Sequence, residues 1–436
     1  MEPTKRVGGW LLMPPERSAR SLRPECRLQF GFVQWRDEHI EDVQIVPPSE
    51  RLPELDAGGP GCVILPGMVD AHVHLPQFPI TGAHGMPLLR WLDEVVFPTE
   101  ARWTDADHAR VSIRQSLRQL LSHGTIGIMA FATSDAAAAA MAIEQATRWG
   151  MLGGIGHVLM DRHALPELLQ PANASLEASK TLIDRFGEDA PVQAIVTPRF
   201  AISCTERLLH GAGDLARQTD AAVQTHLAET RAECRAVSEL FDGRSYVDVY
   251  DRSGLATSRS YFGHGIHLAD DDRQLMAGRQ STVVHCPTAN RFLHSGRMDW
   301  LAHRDQGLSV LLGSDIGAGY ERSMVRVARD ALLTAGDALA DRDAFDSGND
   351  PGDAPPRAAE AWYWITAGAA KRLSMPTGVL ETGTRADFSV VHPNYPIVPP
   401  DPDPMVDPLD RLMFDWDDRW LDRVCVRGRW FDPTEP

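Results

Sequence analysis

Val63-Ile64-Leu65-Pro66-Gly67-Met68-Val69-Asp70-Ala71-His72-Val73-His74 passes from a fully apolar stretch into two histidines one residue apart. Seven more short apolar runs follow before residue 320, at 125–131, 154–160, 192–196, 222–227, 261–264, 282–285 and 308–313. Strands buried on both faces of a parallel sheet read as uninterrupted runs of this kind. Between them lie helix-like segments: 104–123 with Val111, Ile113, Leu117, Leu120 and Leu121, the alanine-rich 134–148, then 174–186, 205–219 and 230–241. Eight strand–helix alternations over about 260 residues predict an α/β chain folded as a (β/α)8 TIM-type barrel. The rival, a doubly wound open sheet, would carry a glycine-rich phosphate turn after its first strand. Gly317-Ala318-Gly319 is not continued into that pattern.

Outward from the barrel, residues 1–62 and 373–436 break the rhythm. Both are rich in proline and tryptophan, with short alternating segments such as Arg27-Leu28-Gln29-Phe30-Gly31-Phe32-Val33 and Ala386-Asp387-Phe388-Ser389-Val390-Val391. They are expected to meet in one small β-sandwich domain beside a barrel of 63–372, since 436 residues exceed one ordinary core. The stretch 340–357, with its Asp, Gly and Pro, reads as a mobile loop. No apolar run reaches the length of a membrane span, and no signal-type segment follows Met1, so a cytoplasmic location without a membrane partner is expected. Six scattered cysteines without a C-x-x-C fit reduced thiols. A formal net charge of −17 would repel a phosphate backbone, which argues against a nucleic-acid partner.

Barrel active sites gather at the C-terminal ends of the strands, so polar groups should collect there. The first strand ends in His72-Val73-His74, and strand alternation puts both imidazoles on one face, a donor pair suited to a borderline-soft divalent metal. Alone, that pair fits many metal proteins. The fifth strand ends in His226-Leu227-Ala228-Glu229, the sixth in His264-Gly265-Ile266-His267, and the eighth in Gly313-Ser314-Asp315. An acid at the end of an apolar strand is costly unless paired or metal-bound. Each segment by itself could be a core histidine or a solvated acid; their joint placement is what points to a hydrolytic metal site.

In these residues the chain resembles the amidohydrolase superfamily: His-x-His after strand 1, His after strands 5 and 6, and Asp after strand 8. The fourth strand ends in Thr197-Pro198-Arg199-Phe200, with no lysine to bridge two metals, as in the mononuclear form. Within the superfamily it looks most like the guanine deaminase family. That resemblance rests on 66–77, on Leu89-Arg90-Trp91-Leu92 with Phe97-Pro98-Thr99-Glu100, on 196–200, 225–230 and 285–290, and on 313–319. Pro76-Gln77 and Pro198-Arg199-Phe200 are the pieces that point to guanine. The resemblance implies one divalent metal, Zn2+ or Fe2+, held by His72, His74, His226 and Asp315. It implies Glu229, His264 and Asp315 as catalytic groups: Asp315 takes a proton from the metal's water, His264 holds the hydroxide, and Glu229 protonates a ring nitrogen and then the leaving ammonia. A substrate pocket of His74, Gln77, Arg199, Phe200, His226, Glu229 and Asp315 follows, as does a homodimer in purine catabolism.

Gln77 offers a donor and an acceptor to a lactam edge, Arg199 a fork for a carbonyl, Phe200 a ring face. Arg199 in a structural ion pair and Phe200 as plain core are the bland alternatives; Trp91 reads as wall, and His285 and Cys286 as structural. The chain departs from the family pattern in Gly263-His264-Gly265, in Tyr320-Glu321-Arg322, and in its short N-terminal segment. The H-x-E and P-C-x-x-C motifs of the other deaminase fold are absent. Triazines, pterins or 8-oxoguanine would suit the same machinery as substrates of an aminohydrolase or chlorohydrolase. A non-catalytic scaffold on this fold would be expected to lose metal ligands, and the chain keeps all four.

Overall fold

The computed structural model describes residues 3–15, 23–340, 355–399, 401, 403, 405–432 and 434. The chain opens with antiparallel strands Lys5–Met13 (β1), Arg27–Arg36 (β2) and His39–Ile45 (β3), and Ala57–Pro66 (β4) lies parallel to β1. After Gly67 begins Met68–His74 (β5), the first of eight parallel strands laid side by side in chain order. The others are Thr125–Phe131 (β6), Leu152–Leu159 (β7), Val192–Pro198 (β8), Val223–Leu227 (β9), Ser260–His264 (β10), Thr282–His285 (β11) and Ser309–Leu312 (β12). The expected (β/α)8 barrel is present. Its seam closes just beyond the last strand, where Asp315 N–H donates to the His72 carbonyl (2.8 Å) and His74 N–H to the Ile316 carbonyl (3.2 Å).

One expectation about the opening stretch changes. Residues 63–66, taken as the start of the first barrel strand, end β4 and pair with the late strand Phe388–Val391 (β13), Ile64 opposite Val390 and Leu65 opposite Ser389. Val63, Ile64 and Leu65 are as fully buried as β5, so hydrophobicity alone cannot say which sheet receives them.

Leu421–Val426 (β14) and Arg429–Trp430 (β15) complete a second sheet of seven strands, in the order β15-β14-β13-β4-β1-β2-β3. The sandwich expected of the two chain ends is this one sheet curled on itself. Trp35 of β2 packs edge-on against Phe388 of β13 (5.1 Å between ring centres) and Trp430 of β15 (5.8 Å), strands far apart in the sheet order. Inside the curl lies a small core of Val7, Leu11, Val33, Ile40, Ile64 and Val390.

Several of the helices between barrel strands start at side-chain caps, whose oxygens satisfy the first free N–H groups. Asp105 accepts from the N–H groups of Asp107 and His108 to open Ala106–Ser122, and Thr205 caps Glu206–Thr219. On the first of these, Ile113, Leu117, Leu120 and Leu121 are buried against the barrel. Val111, counted with them from periodicity, faces solvent at 56 % exposure. No helix among the described residues is long and apolar enough to cross a membrane. The stretch expected to form a mobile loop lies, apart from its ends, outside the described residues.

Candidate active site

The seam that closes the barrel also assembles the cluster. Asp70 of β5 reaches across it: Oδ1 accepts the N–H groups of Ser314 (2.9 Å) and His72 (3.2 Å), and Oδ2 accepts the Ser314 hydroxyl. Burial pushes the Asp70 carboxyl up to about 7 against those bonds. Asp315 leaves the strand direction at φ 50°, a left-handed conformation that non-glycine residues adopt rarely and at some cost in strain. Its Oδ1 then lies 3.4 Å from His72 Nε2 and 3.3 Å from His74 Nε2. Burial would raise the Asp315 carboxyl; the close approach of the His72 and His74 ring nitrogens outweighs it and holds the group well below the usual range.

Ligand atoms of His72, His74, His226 and Asp315 all lie within 4.8 Å of one another, deep in the barrel mouth. His226 Nδ1 donates to the Arg199 carbonyl at 2.7 Å, which leaves Nε2 bare and 3.1 Å from His74 Nε2. His72 Nε2 is buried without a hydrogen-bond partner. Burial drives all three imidazoles toward the neutral form, His74 to about 4. Neutral rings converging with a carboxylate, with ring nitrogens left unsatisfied, fit a divalent cation. The Phe131 ring packs against all three imidazoles, stacked on His74 at 4.5 Å. Glycine backs the site where a side chain would not fit: a Cβ on Gly263 would sit 2.5 Å from His72 Cε1, and one on Gly313 2.5 Å from His72 Cβ.

Beside the cluster, His264 (φ 71°) donates from Nδ1 to Asn290 Oδ1 at 2.8 Å, and the Asn290 amide lies 3.4 Å from His285 Nδ1. His285 thus takes the structural place expected of it, behind the group that orients His264. The bare Nε2 of His264 faces Glu229 Oε2 (3.5 Å) and Asp315 Oδ2 (3.8 Å). Glu229 is buried, and burial together with the Asp315 charge lifts its carboxyl to about 8 despite a 2.7 Å hydrogen bond from Ser295. The next helix, Arg231–Leu240, opens with a capping box of Thr230 and Glu233. Glu233 also accepts the Glu229 N–H (2.9 Å) and the Tyr246 hydroxyl (2.7 Å), so the turn bearing Glu229 is held from beneath.

Opposite lies a second buried group. Glu100 accepts Gln77 Nε2–H (2.8 Å) on one oxygen and Arg199 Nη1–H (2.6 Å) on the other. Arg199 also lies over the Phe97 ring, 5.2 Å from its centre. Arg199 is thus ion-paired, as its structural reading expected, and it also lines the pocket. That pocket has about 390 Å³ of space not taken by atoms, and its walls include Gln77, Arg199, Phe200, Glu229, His264 and Asp315. His74, His226, Glu233, Trp91 and Leu88 complete much of the lining. Every residue expected in the substrate pocket is brought to it, and His72 joins the cluster at its floor.

Sequence reasoning assigned no role to Glu100, Asn290, Ser295 or Phe131. Glu100 and Asn290 stood in the stretches that carried the family resemblance; a buried glutamate after Phe97-Pro98-Thr99 was the available signal. Ser295 offered none.

The amidohydrolase family model matches residues 63–431. The chain belongs to the amidohydrolase family. The chain is 32 % identical over 430 residues to guanine deaminase of Escherichia coli (strain K12), covering 95 % of this chain and 93 % of that protein. With guanine deaminase of Dictyostelium discoideum it shares 31 % identity over 374 residues, 84 % of this chain and 81 % of the other. The crystal structure of guanine deaminase from C. acetobutylicum with bound guanine superposes with a TM-score of 0.87 at 26 % identity, covering 99 % of this chain and 100 % of that one.

Proposed function

We propose that the chain is a guanine deaminase, hydrolysing guanine to xanthine and ammonia. The observation that carries this reading is the meeting, at one pocket in the barrel mouth, of the His72/His74/His226/Asp315 cluster with the Gln77–Glu100–Arg199 group. Relatives named guanine deaminase, similar over most of their length, support it. One divalent ion, Zn2+ by the nitrogen-rich donor set, would be held by the four clustered side chains and supplies a water of lowered pKa.

The side chains then divide the work. Asp315, kept ionised, accepts a proton from the water. His264, its Nδ1–H held by Asn290, accepts that water's remaining hydrogen bond and orients its oxygen toward the carbon bearing the exocyclic amine. Glu229, protonated at neutral pH, gives its proton to the adjacent ring nitrogen, so that carbon accepts the oxygen. Glu229 then takes the proton of the new hydroxyl and passes it to the amine. The carbon–nitrogen bond breaks to leave a carbonyl and ammonia, and the proton held by Asp315 returns to Glu229 to restore the starting state. Gln77 and Arg199 present their polar ends to the lactam edge, and Phe200 offers a ring face to the base. The reading extends to a cytoplasmic homodimer working in purine breakdown.

Ammonia release from guanine, run beside a triazine, a pterin and 8-oxoguanine, tests the substrate. Guanine should be turned over fastest, by protein carrying one metal per chain. Inactivity on guanine with rapid turnover of another heterocycle would move the substrate assignment; absence of stoichiometric metal would favour a non-catalytic protein.

A further inference from the structure

Trp91 closes the short helix Leu88–Trp91, is 2 % exposed, and lines the same pocket as Gln77, Arg199 and Glu229. Its indole Nε1 is buried and has no hydrogen-bond partner. Buried indole N–H groups usually find an acceptor. Trp35, Trp103 and Trp362 do so here, with Gly428 O (3.0 Å), Ser112 Oγ (3.1 Å) and Leu409 O (3.3 Å). Trp420 also lacks one, but it sits in an apolar cluster outside the pocket. Trp91 is thus a donor without an acceptor in the wall of a pocket built for a polar heterocycle.

On the guanine reading, on which this inference rests, the six-membered ring is already provided for: Glu229 serves the nitrogen beside the attacked carbon, and Arg199 and Gln77 serve the lactam edge. The imidazole ring is the part of the base left without a partner. In either tautomer it carries one protonated nitrogen and one bare nitrogen. We propose that Trp91 donates its indole N–H to the bare imidazole nitrogen of the bound purine and so acts as a specificity residue. The wall residue of the sequence reading becomes the group that distinguishes a purine from heterocycles lacking that acceptor.

Guanine analogues with C–H in place of one imidazole nitrogen test this without disturbing the protein. Neither 7-deazaguanine nor 9-deazaguanine has a bare nitrogen in its five-membered ring. In the wild-type enzyme, kcat/KM should fall about tenfold from guanine to either analogue, mostly through KM, as for one lost neutral hydrogen bond. Trp91→Phe should lose about the same factor on guanine and no further activity on the analogues. Equal losses on all three compounds would assign Trp91 to packing, and a wild-type enzyme that treats guanine and its deaza analogues alike would remove the contact; either overturns the proposal. Both results presuppose an enzyme active on guanine. A wild type that does not deaminate guanine overturns the guanine reading and this inference with it. Metal content of Trp91→Phe, expected unchanged, separates loss of the contact from damage to the cluster.

Discussion

At the scale of single residues, Glu229 owes its chemistry to its surroundings. A glutamate ordinarily titrates near 4.5; burial and the Asp315 charge move this one to about 8, so it carries its proton across neutral pH. A general acid works in its protonated form, so raising pH through about 8 removes the active species. kcat/KM should therefore fall on an alkaline limb near that value, read from a pH–rate profile at constant metal content. Glu229→Gln keeps the shape but has no proton to transfer. It should retain metal by elemental analysis and lose roughly 10²–10⁴-fold in turnover; a variant with the wild-type rate would show that the acid is another group. Glu100 is a different case. It touches Gln77 and Arg199 and positions both. Glu100→Gln leaves a buried guanidinium without its counter-charge, a change worth on the order of 3–5 kcal/mol of stability. Thermal melting should show that loss, and KM for guanine should rise more than kcat falls, with Glu100→Asp recovering part of it. Arg199→Ala should raise KM in the same way with metal content unchanged.

At the scale of elements, the site sits where strands end and their directions change. Ala228 (φ 48°), His264 (φ 71°) and Asp315 (φ 50°) all turn into left-handed backbone just past β9, at the end of β10, and just past β12. These turns swing side chains into the barrel mouth. The strands themselves were readable from sequence, because burial on both faces leaves an unbroken apolar run. The division of 63–74 into β4 and β5 was not, because both pieces are equally apolar and only pairing partners tell them apart. Val111 misled for a related reason: an apolar residue on the solvent side of an amphipathic helix fits a helical period while contributing nothing to the core. The close approach of β12 to β5 yields its own prediction. A methyl group on Gly313 would press on the Cβ and backbone of His72. Gly313→Ala should therefore cost about 1–3 kcal/mol in strain and weaken metal binding. Melting temperature and metal affinity should fall together; a variant with native values for both would show that the seam has slack.

At the scale of the whole molecule, the cluster joins parts of the chain far apart in sequence. His72 and His74 lie on β5, His226 on β9, and Asp315 past β12 at the seam. A bound ion would tie the first, fifth and last barrel strands, and binding to the folded state alone stabilises it by about 4 kcal/mol at a thousandfold excess over Kd. Removing the metal with a chelator should lower the melting temperature, and hydrogen exchange should quicken most at the backbone bonds between His72, His74 and the 315–316 segment. Adding the metal back should reverse both; chelation without effect on stability would show the barrel to be closed by its backbone bonds alone. By itself, the sequence determined the barrel, the positions of its strands to within a few residues and, through its resemblance to the amidohydrolase superfamily, the four side chains that meet at its mouth. Both periodicity and strand-end chemistry are local properties, written within a few residues of each other. Only tertiary structure decided that one buried glutamate holds both Gln77 and Arg199, that Asn290 and Ser295 orient His264 and Glu229, and that the indole N–H of Trp91 is left without a partner. Those are facts about groups 23 to 99 residues apart where they are bonded, and local pattern carries no record of which polar group finds a partner once the chain has closed around it.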